Sequence, residues 1–249
     1  MPDLTLLAVA IPAALWAGVS KGGFGSGAAF ASALLLALVL EPAAALGVML
    51  PVLMLIDVVT VRGFWRRWHG PSSWALVLGG LPGVGLGIAL FSVANDDVLR
   101  LLIAAVALGF VAWQVAGQAG LIRVPHVPFR WSNGLGTGAF AGFTSFISHA
   151  GGPPVAVFLL AQGLSKTAYQ ATTAITFWIV NIFKAVPYGV MGFFTAESLT
   201  LGLWMAPFAV AGAVLGIRAH RLVPERVFFG VTYVLLTVTG LKLVWDALT

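Results

Sequence analysis

The chain has 249 residues, of which 60% are hydrophobic and only 8% are charged, with a formal net charge of +5. Soluble domains carry about 25% charged residues, so this composition excludes a soluble globular enzyme, a nucleic-acid-binding domain and a disordered segment. The mean hydropathy of +1.01 indicates a protein that places most of its surface in lipid. Because the sequence has no cysteine, disulfides, thiolate chemistry and cysteine-ligated metals are excluded.

Ten apolar segments follow one another along the chain. A full membrane span needs about 20 apolar residues, and four of the segments are clearly shorter. The four form two neighbouring pairs, and a polar break rich in small residues separates the members of each pair. In chain order the segments are 4–19, 26–40, 43–61, 72–92, 98–118, 132–147, 152–163, 167–194, 198–217 and 226–247.

The two short pairs predict re-entrant hairpins over 4–40 and 132–163, with their tips inside the bilayer. As a helix, the 12-residue segment 152–163 would reach only about 18 Å, against a hydrocarbon core of about 30 Å. Ten ordinary spans joined by tight turns are the alternative. We expect an all-α polytopic membrane protein, each half of which has one re-entrant helical hairpin and three transmembrane helices.

The two halves of the sequence resemble each other. A shift of 124 residues matches Gly18 to Gly142 and places Asp57 opposite Asn181. Because each half has an odd number of segments, the second half would enter the membrane from the opposite side. Such inverted repeats are a recurrent plan of secondary transporters. We expect a first repeat over 1–118, a cytoplasmic linker over 119–130 and a second repeat over 131–249.

The basic residues predict the orientation. Nine of them fall on one face of the threaded chain and two on the other, so the positive-inside rule makes the first face cytoplasmic. We expect a multi-pass protein of the plasma (inner) membrane with both termini on the outer side. The nine are Arg62, Arg66, Arg67, Arg123, Arg130, Lys166, Arg218, Arg221 and Arg226, and the two are Arg100 and Lys242.

Four ionisable residues are left at membrane depth, where such groups are costly and are functional candidates by default: Lys21, Asp57, His149 and Lys184. Lys21 lies among glycines at the first predicted tip, where a helix N-terminus would add positive potential. This combination predicts an anion site. The alternative is a lysine that snorkels to the cytoplasmic surface. His149 has the corresponding place at the second tip, where a solvated histidine is the alternative.

Two interpretations stay open for Lys184, and two for Asp57. Lys184 shares one face of segment 167–194 with Asn181, which favours a position inside the helix bundle. It either contacts substrate or is a structural lysine bonded to carbonyls or to Asp57. Asp57 either forms an interfacial ion pair with Arg62 or is a coupling site for a proton or cation and a partner of Lys184.

Two motifs resemble the two repeats of the sulfite exporter TauE/SafE family, which includes transporters similar to those for 4-toluene sulfonate. The first is Gly18-x-x-x-Gly22-Gly23-Phe24-Gly25-Ser26-Gly27, and the second is Ser148-His149-Ala150-Gly151-Gly152-Pro153-Pro154 with the downstream Gln170-Ala171-Thr172-Thr173 and Asn181. The resemblance covers nearly the whole chain. It implies a polytopic plasma-membrane protein that exports sulfite or an organosulfonate.

We therefore expect a secondary transporter, not an enzyme, that exports a small anion by alternating access, with its site between the two tips at the midplane. Its expected partners are the anion, the bilayer and a coupling proton or sodium ion; no cofactor, metal ion or nucleic acid is expected. A passive channel and an intramembrane enzyme are the alternatives. The expected substrate contacts are Lys21, Gly22, Gly23, Ser26, Gly27, Ser145, Ser148, His149, Gly151, Gly152, Asn181 and Lys184, and the coupling candidates are Asp57 and His149.

Overall fold

The computed structural model describes residues 3–25, 29–121, 126–220, 234, 237–238 and 241–248, and every regular element in these residues is helical. Six of the helices are long and apolar enough to cross a membrane. Residues 234, 237–238 and 241–248, all helical, are the described part of the predicted segment 226–247. Arg123, Arg221 and Arg226 lie outside the described residues. The helices are α1 Leu4–Val19, α2 Phe30–Ala37, α3 Pro42–Gly63, α4 Gly70–Phe91, α5 Asp96–Gln118, α6 Trp131–Ser148, α7 Gly152–Ala161, α8 Lys166–Val190 and α9 Ala196–Ala219.

The first helix is longer than its apolar stretch. α1 continues directly into a π-helical turn over Ser20–Phe24, which brings the whole helix Leu4–Phe24 to 21 residues, enough to cross a membrane. The prediction of a short first arm over 4–19 was therefore wrong in its length. The apolar run does end at Ser20, but the polar groups of the next turn are paired inside the protein. Ser20 Oγ donates to the carbonyl of Gly25 at 3.2 Å, and Lys21 forms an ion pair.

The second predicted hairpin has one arm of 18 residues, α6, and one of 10 residues, α7. His149 ends α6 in the left-handed conformation, with φ at 55°. α7 then begins at Gly152 with prolines in its first turn, where their missing N–H groups are not needed. As a helix, α7 reaches only about 15 Å, half of the hydrocarbon core.

The helices pack as two bundles that differ from the two predicted sequence repeats. The first bundle is α1, α2, α3 and α9, whose buried side chains form one apolar cluster. The second bundle is α4, α6, α7 and α8, and Leu76, Ala141, Val155 and Phe177 represent these helices in its cluster. Each bundle therefore takes one helix from the opposite half of the sequence: α9 packs on α1, and α4 packs on α6.

Glycines allow the closest helix contacts within each bundle. A Cβ on Gly18 of α1 would overlap the carbonyl of Ala209 in α9, and a Cβ on Gly142 of α6 would overlap the carbonyl of Gly80 in α4. Small residues at such crossings let two backbones approach each other in a membrane. The two contacts are equivalent in sequence, because shifts of 124 and 129 residues convert the first into the second.

The central helices of the molecule are α3 and α8, which have the largest buried fractions of the six candidate spans. They contact each other across the boundary between the bundles. α5 lies on the periphery, and its Ile103 and Phe110 pack with Phe30 of α2 and with Leu243. Polar residues on the facing sides of α3 and α8 are therefore placed at the interface between the bundles.

α9 begins at a capping box. Thr195 Oγ1 accepts a hydrogen bond from the Ser198 N–H at 3.1 Å, and Ser198 Oγ accepts one from the Thr195 N–H at 2.9 Å. Thr195→Ala is expected to lower the free energy of unfolding by about 1 kcal/mol, because one N–H of the first turn loses its acceptor. An SDS titration followed by circular dichroism measures this change. Thr200→Ala is the control, because Thr200 Oγ1 only donates to the Ala196 carbonyl within the helix, and an equal loss in both variants would contradict the prediction.

Candidate functional site

The structure brings together the four ionisable residues that were predicted at membrane depth. Lys21 Nζ lies 2.5 Å from Asp57 Oδ1, and both side chains are buried, with exposed fractions of 4% and 0%. The other carboxylate oxygen, Asp57 Oδ2, accepts a hydrogen bond from Asn181 Nδ2 at 2.7 Å. Asp57 is thus paired with Lys21 inside the protein, and the interpretation of an interfacial pair with Arg62 was wrong.

Lys184 is surrounded by neutral acceptors. Its Nζ lies 2.7 Å from the Ser145 carbonyl oxygen, 3.1 Å from Ser145 Oγ and 2.9 Å from His149 Nδ1, with Asn181 Oδ1 at 3.4 Å. The ring of Tyr188 lies 5.6 Å from the same nitrogen. These partners use the three N–H groups of an ammonium, yet none of them is a carboxylate. Of the two structural alternatives for Lys184, the bond to a carbonyl is present, at Ser145, whereas a direct pair with Asp57 is replaced by a bridge through Asn181.

The hydrogen bonds of His149 define its tautomer. Its Nε2 lies 3.2 Å from the carbonyl oxygen of Leu46, so this nitrogen carries the hydrogen. Its Nδ1 faces the Lys184 ammonium, which can only donate, and therefore accepts with its lone pair. His149 is consequently a neutral imidazole in this arrangement.

Two side chains from other helices hold the π-helical turn that carries Lys21. Gln170 of α8 donates from Nε2 to the Lys21 carbonyl, and His220, just after α9, donates from Nδ1 to the Gly23 carbonyl at 2.6 Å. Both are buried. Sequence reasoning did not select either residue as a site residue. For Gln170, which belongs to the downstream part of the second motif, the available signal was a long amide side chain in an apolar helix.

A small cavity lies between the two bundles at this cluster. Its volume is about 10 Å³, which is room for about one water molecule. The first bundle and the segment before α2 contribute Lys21, Ala29 and Leu53, and the second bundle contributes Ser145, His149, Phe177 and Asn181. The cavity must therefore open before it can hold a solute.

The comparison with known families agrees with this arrangement. The family model described as Sulfite exporter TauE/SafE matches residues 10–243. The chain belongs to the sulfite exporter TauE/SafE family. No curated protein and no solved structure matches the chain. The resemblance seen in the two glycine motifs is confirmed, and membership of this transporter family, together with six apolar helices, makes the chain a multi-pass membrane protein.

Two glycines of the first motif of this TauE/SafE protein face a neighbouring helix. A Cβ on Gly22 would overlap the backbone of Ala213, and a Cβ on Gly23 would overlap that of Gly216. These glycines pack the π-helical turn against α9. Ser26 and Gly27, which were also predicted to contact substrate, lie outside the described residues.

In the second motif the predicted residues differ in their positions. Ser145 and His149 line the cavity. Ser148 Oγ instead donates to the Thr144 carbonyl at 2.8 Å, within α6. Gly151 packs closely against Phe177 and Ser145, and Gly152 is the buried first residue of α7. Gly151 of this TauE/SafE motif therefore lets α6 and α8 approach the start of α7.

The donor set of the site fits an oxyanion. Lys21, the Ser145 hydroxyl and the Asn181 amide line the cavity, and the ammonium of Lys184 contacts the last two. In the described part of this TauE/SafE chain, no group of three or more histidine or acidic side chains could hold a metal ion. The chemistry that the arrangement offers is charge and hydrogen-bond donation.

Proposed function

We propose that this protein is a secondary transporter that exports sulfite or an organosulfonate from the cytoplasm across the plasma (inner) membrane, with both chain termini on the outer side. Membership of the TauE/SafE family supports a membrane exporter of this class. The observation that carries the proposal is a buried cavity between the bundles that Lys21 lines directly. Lys184 contacts three other lining residues of this cavity, which are Ser145, His149 and Asn181.

The contacts of Lys184 support an anion as the ligand. A buried cation without a carboxylate partner is costly in a membrane, and a bound anion would reduce that cost. Ser145 Oγ and the Asn181 amide lie beside its ammonium and can donate to further oxygens of the same anion. The three oxygens of a sulfonate match this number of donors.

Alternating access fits the position of the small cavity between the bundles and the equivalent contacts of the two bundles. Asp57 and Asn181 are 124 residues apart, the shift that relates the predicted repeats, and they bond to each other. Residues related by a twofold axis meet where that axis passes, so this bond supports an inverted repeat. We propose that the two bundles, rather than the two sequence halves, move against each other, because the glycine contacts join α1 to α9 and α4 to α6.

Asp57 is the proposed coupling residue. Its carboxylate bonds to Lys21 in its own bundle and to Asn181 in the other. A proton or sodium ion on this carboxylate would weaken both contacts and thereby link ion binding to separation of the bundles. His149 is the second coupling candidate, because its Nε2 bond to Leu46 also crosses the interface.

Lys184→Ala is expected to reduce efflux of sulfite from proteoliposomes by on the order of 100-fold, because truncating one partner of a buried charged contact costs about 2–5 kcal/mol. Lys242→Ala is the matched control, since Lys242 pairs with Asp246 at the surface, where ion pairs contribute little. Unchanged efflux in Lys184→Ala would contradict the proposed site. Efflux that does not saturate and ignores an imposed ion gradient would indicate a passive channel.

A further inference from the structure

We infer that the site is selective for a single negative charge, so that it binds sulfonates and singly charged sulfite but rejects a dianion of the same size, such as sulfate. This inference rests on the proposed anion site and adds to it the charge of the substrate. It follows from the charges that the two bundles bring to their interface.

The wall of the first bundle is neutral as a whole. Its buried charged groups are Lys21, which lines the cavity, and Asp57, whose Oδ1 lies 2.5 Å from Lys21 Nζ. The ammonium of Lys21 is paired with the carboxylate of Asp57. The pair stays together when the bundles separate, because Lys21 and Asp57 belong to the same bundle. The wall therefore offers an incoming anion a dipole and no net charge.

The wall of the second bundle carries one positive charge when Lys184 is protonated. Lys184 donates to Ser145 and to the neutral imidazole of His149, both on or next to α6. Its link to Asp57 passes through the uncharged amide of Asn181. The ammonium of Lys184 therefore has no carboxylate of its own.

The rest of the buried interior of the described chain supplies no further compensation. The buried charged or titratable polar residues there are Lys21, Asp57, His149, Lys184 and His220. His220 is bonded to the Gly23 carbonyl at the far end of the π-helical turn. One positive charge thus remains for the ligand, and a second negative charge on the ligand would be buried without a partner.

The wild-type protein alone tests the inference. Methanesulfonate and sulfate both have a tetrahedral sulfur with four substituents, but they carry one and two negative charges. In calorimetric titrations of the purified protein, methanesulfonate is expected to bind more tightly than sulfate by on the order of 100-fold, which is the scale of one unpaired buried charge. Equal affinities, or a preference for sulfate, would overturn the inference.

Two variants change the charge of the site in a matched way. Asp57→Asn removes the only buried carboxylate of the described residues and leaves two positive charges, so sulfate is expected to become the preferred anion. The double variant Lys21→Met/Asp57→Asn removes the whole pair and leaves one positive charge, so the preference for methanesulfonate is expected to return. Monodisperse elution in size-exclusion chromatography establishes that each variant is folded.

The outcomes separate this inference from the proposed function. If neither methanesulfonate nor sulfite binds to the wild type, the anion site itself is wrong. If methanesulfonate and sulfate bind with equal affinity, the anion site stands and the charge selectivity is wrong. A folded Asp57→Asn variant that still rejects sulfate would also overturn the inference.

Discussion

Lys21→Met is expected to lower the free energy of unfolding by about 3–5 kcal/mol, because it leaves the fully buried carboxylate of Asp57 without its cation. The remaining contact, from Asn181 Nδ2, is a single neutral hydrogen bond. An SDS titration of the purified protein, followed by circular dichroism, measures the loss. Because Lys21 also lines the cavity, efflux of sulfite is expected to fall in the same variant.

The double variant Lys21→Met/Asp57→Asn provides the internal control. It removes the carboxylate together with its cation, so most of the lost stability is expected to return, since replacing both members of a buried ion pair is often close to neutral. A double variant that is no more stable than Lys21→Met would show that the ion pair is not what the single substitution disrupts.

Gly142→Val is expected to prevent stable packing of the second bundle. The new side chain would meet the backbone of Gly80 in α4, which cannot rotate away as a side chain can. We expect a destabilisation of at least about 3 kcal/mol, at the upper end of overpacking effects. The yield of monodisperse protein after extraction and the SDS titration both report it.

Gly136→Val is the matched control, because it lies on the same helix and nothing lies within 4 Å of its added Cβ. Both substitutions change helix propensity equally, so the difference between them isolates the crossing of α4 and α6. Gly18→Val tests the equivalent crossing of α1 and α9. A Gly142→Val protein as stable as Gly136→Val would contradict the close packing at this crossing.

The helical, multi-pass character of the protein followed from composition and segment length. A bilayer leaves the backbone no partners outside the chain, so apolar segments of this kind form helices. Because charge is costly in lipid, the few ionisable residues at membrane depth also identify the candidate site. The sequence selects four such residues individually: Lys21, Asp57, His149 and Lys184. In the fold, the cost of charge in lipid favours contacts among them.

Their pairing could not be derived from the sequence. Asp57 lies about one turn from Arg62 along α3, but it bonds to Lys21 and Asn181, which are distant in the chain. Local spacing carries no information on contacts of this kind. The same holds for the exchange of α4 and α9 between the bundles, because glycine spacing shows that a close contact exists but not with which helix.

The π-helical turn could not be predicted from the sequence either, because no residue pattern in Ser20–Phe24 distinguishes it from the end of a helix. Such a turn contains one residue more than an α-helical turn. If the extra residue were accommodated at another turn of the helix, the residues in between would rotate by about 100° and advance by about 1.5 Å. Lys21 would then point away from Asp57, while Gln170 and His220 would lose the carbonyls that they hold. The register of a single residue at the end of α1 thus decides whether the lysine faces the cavity.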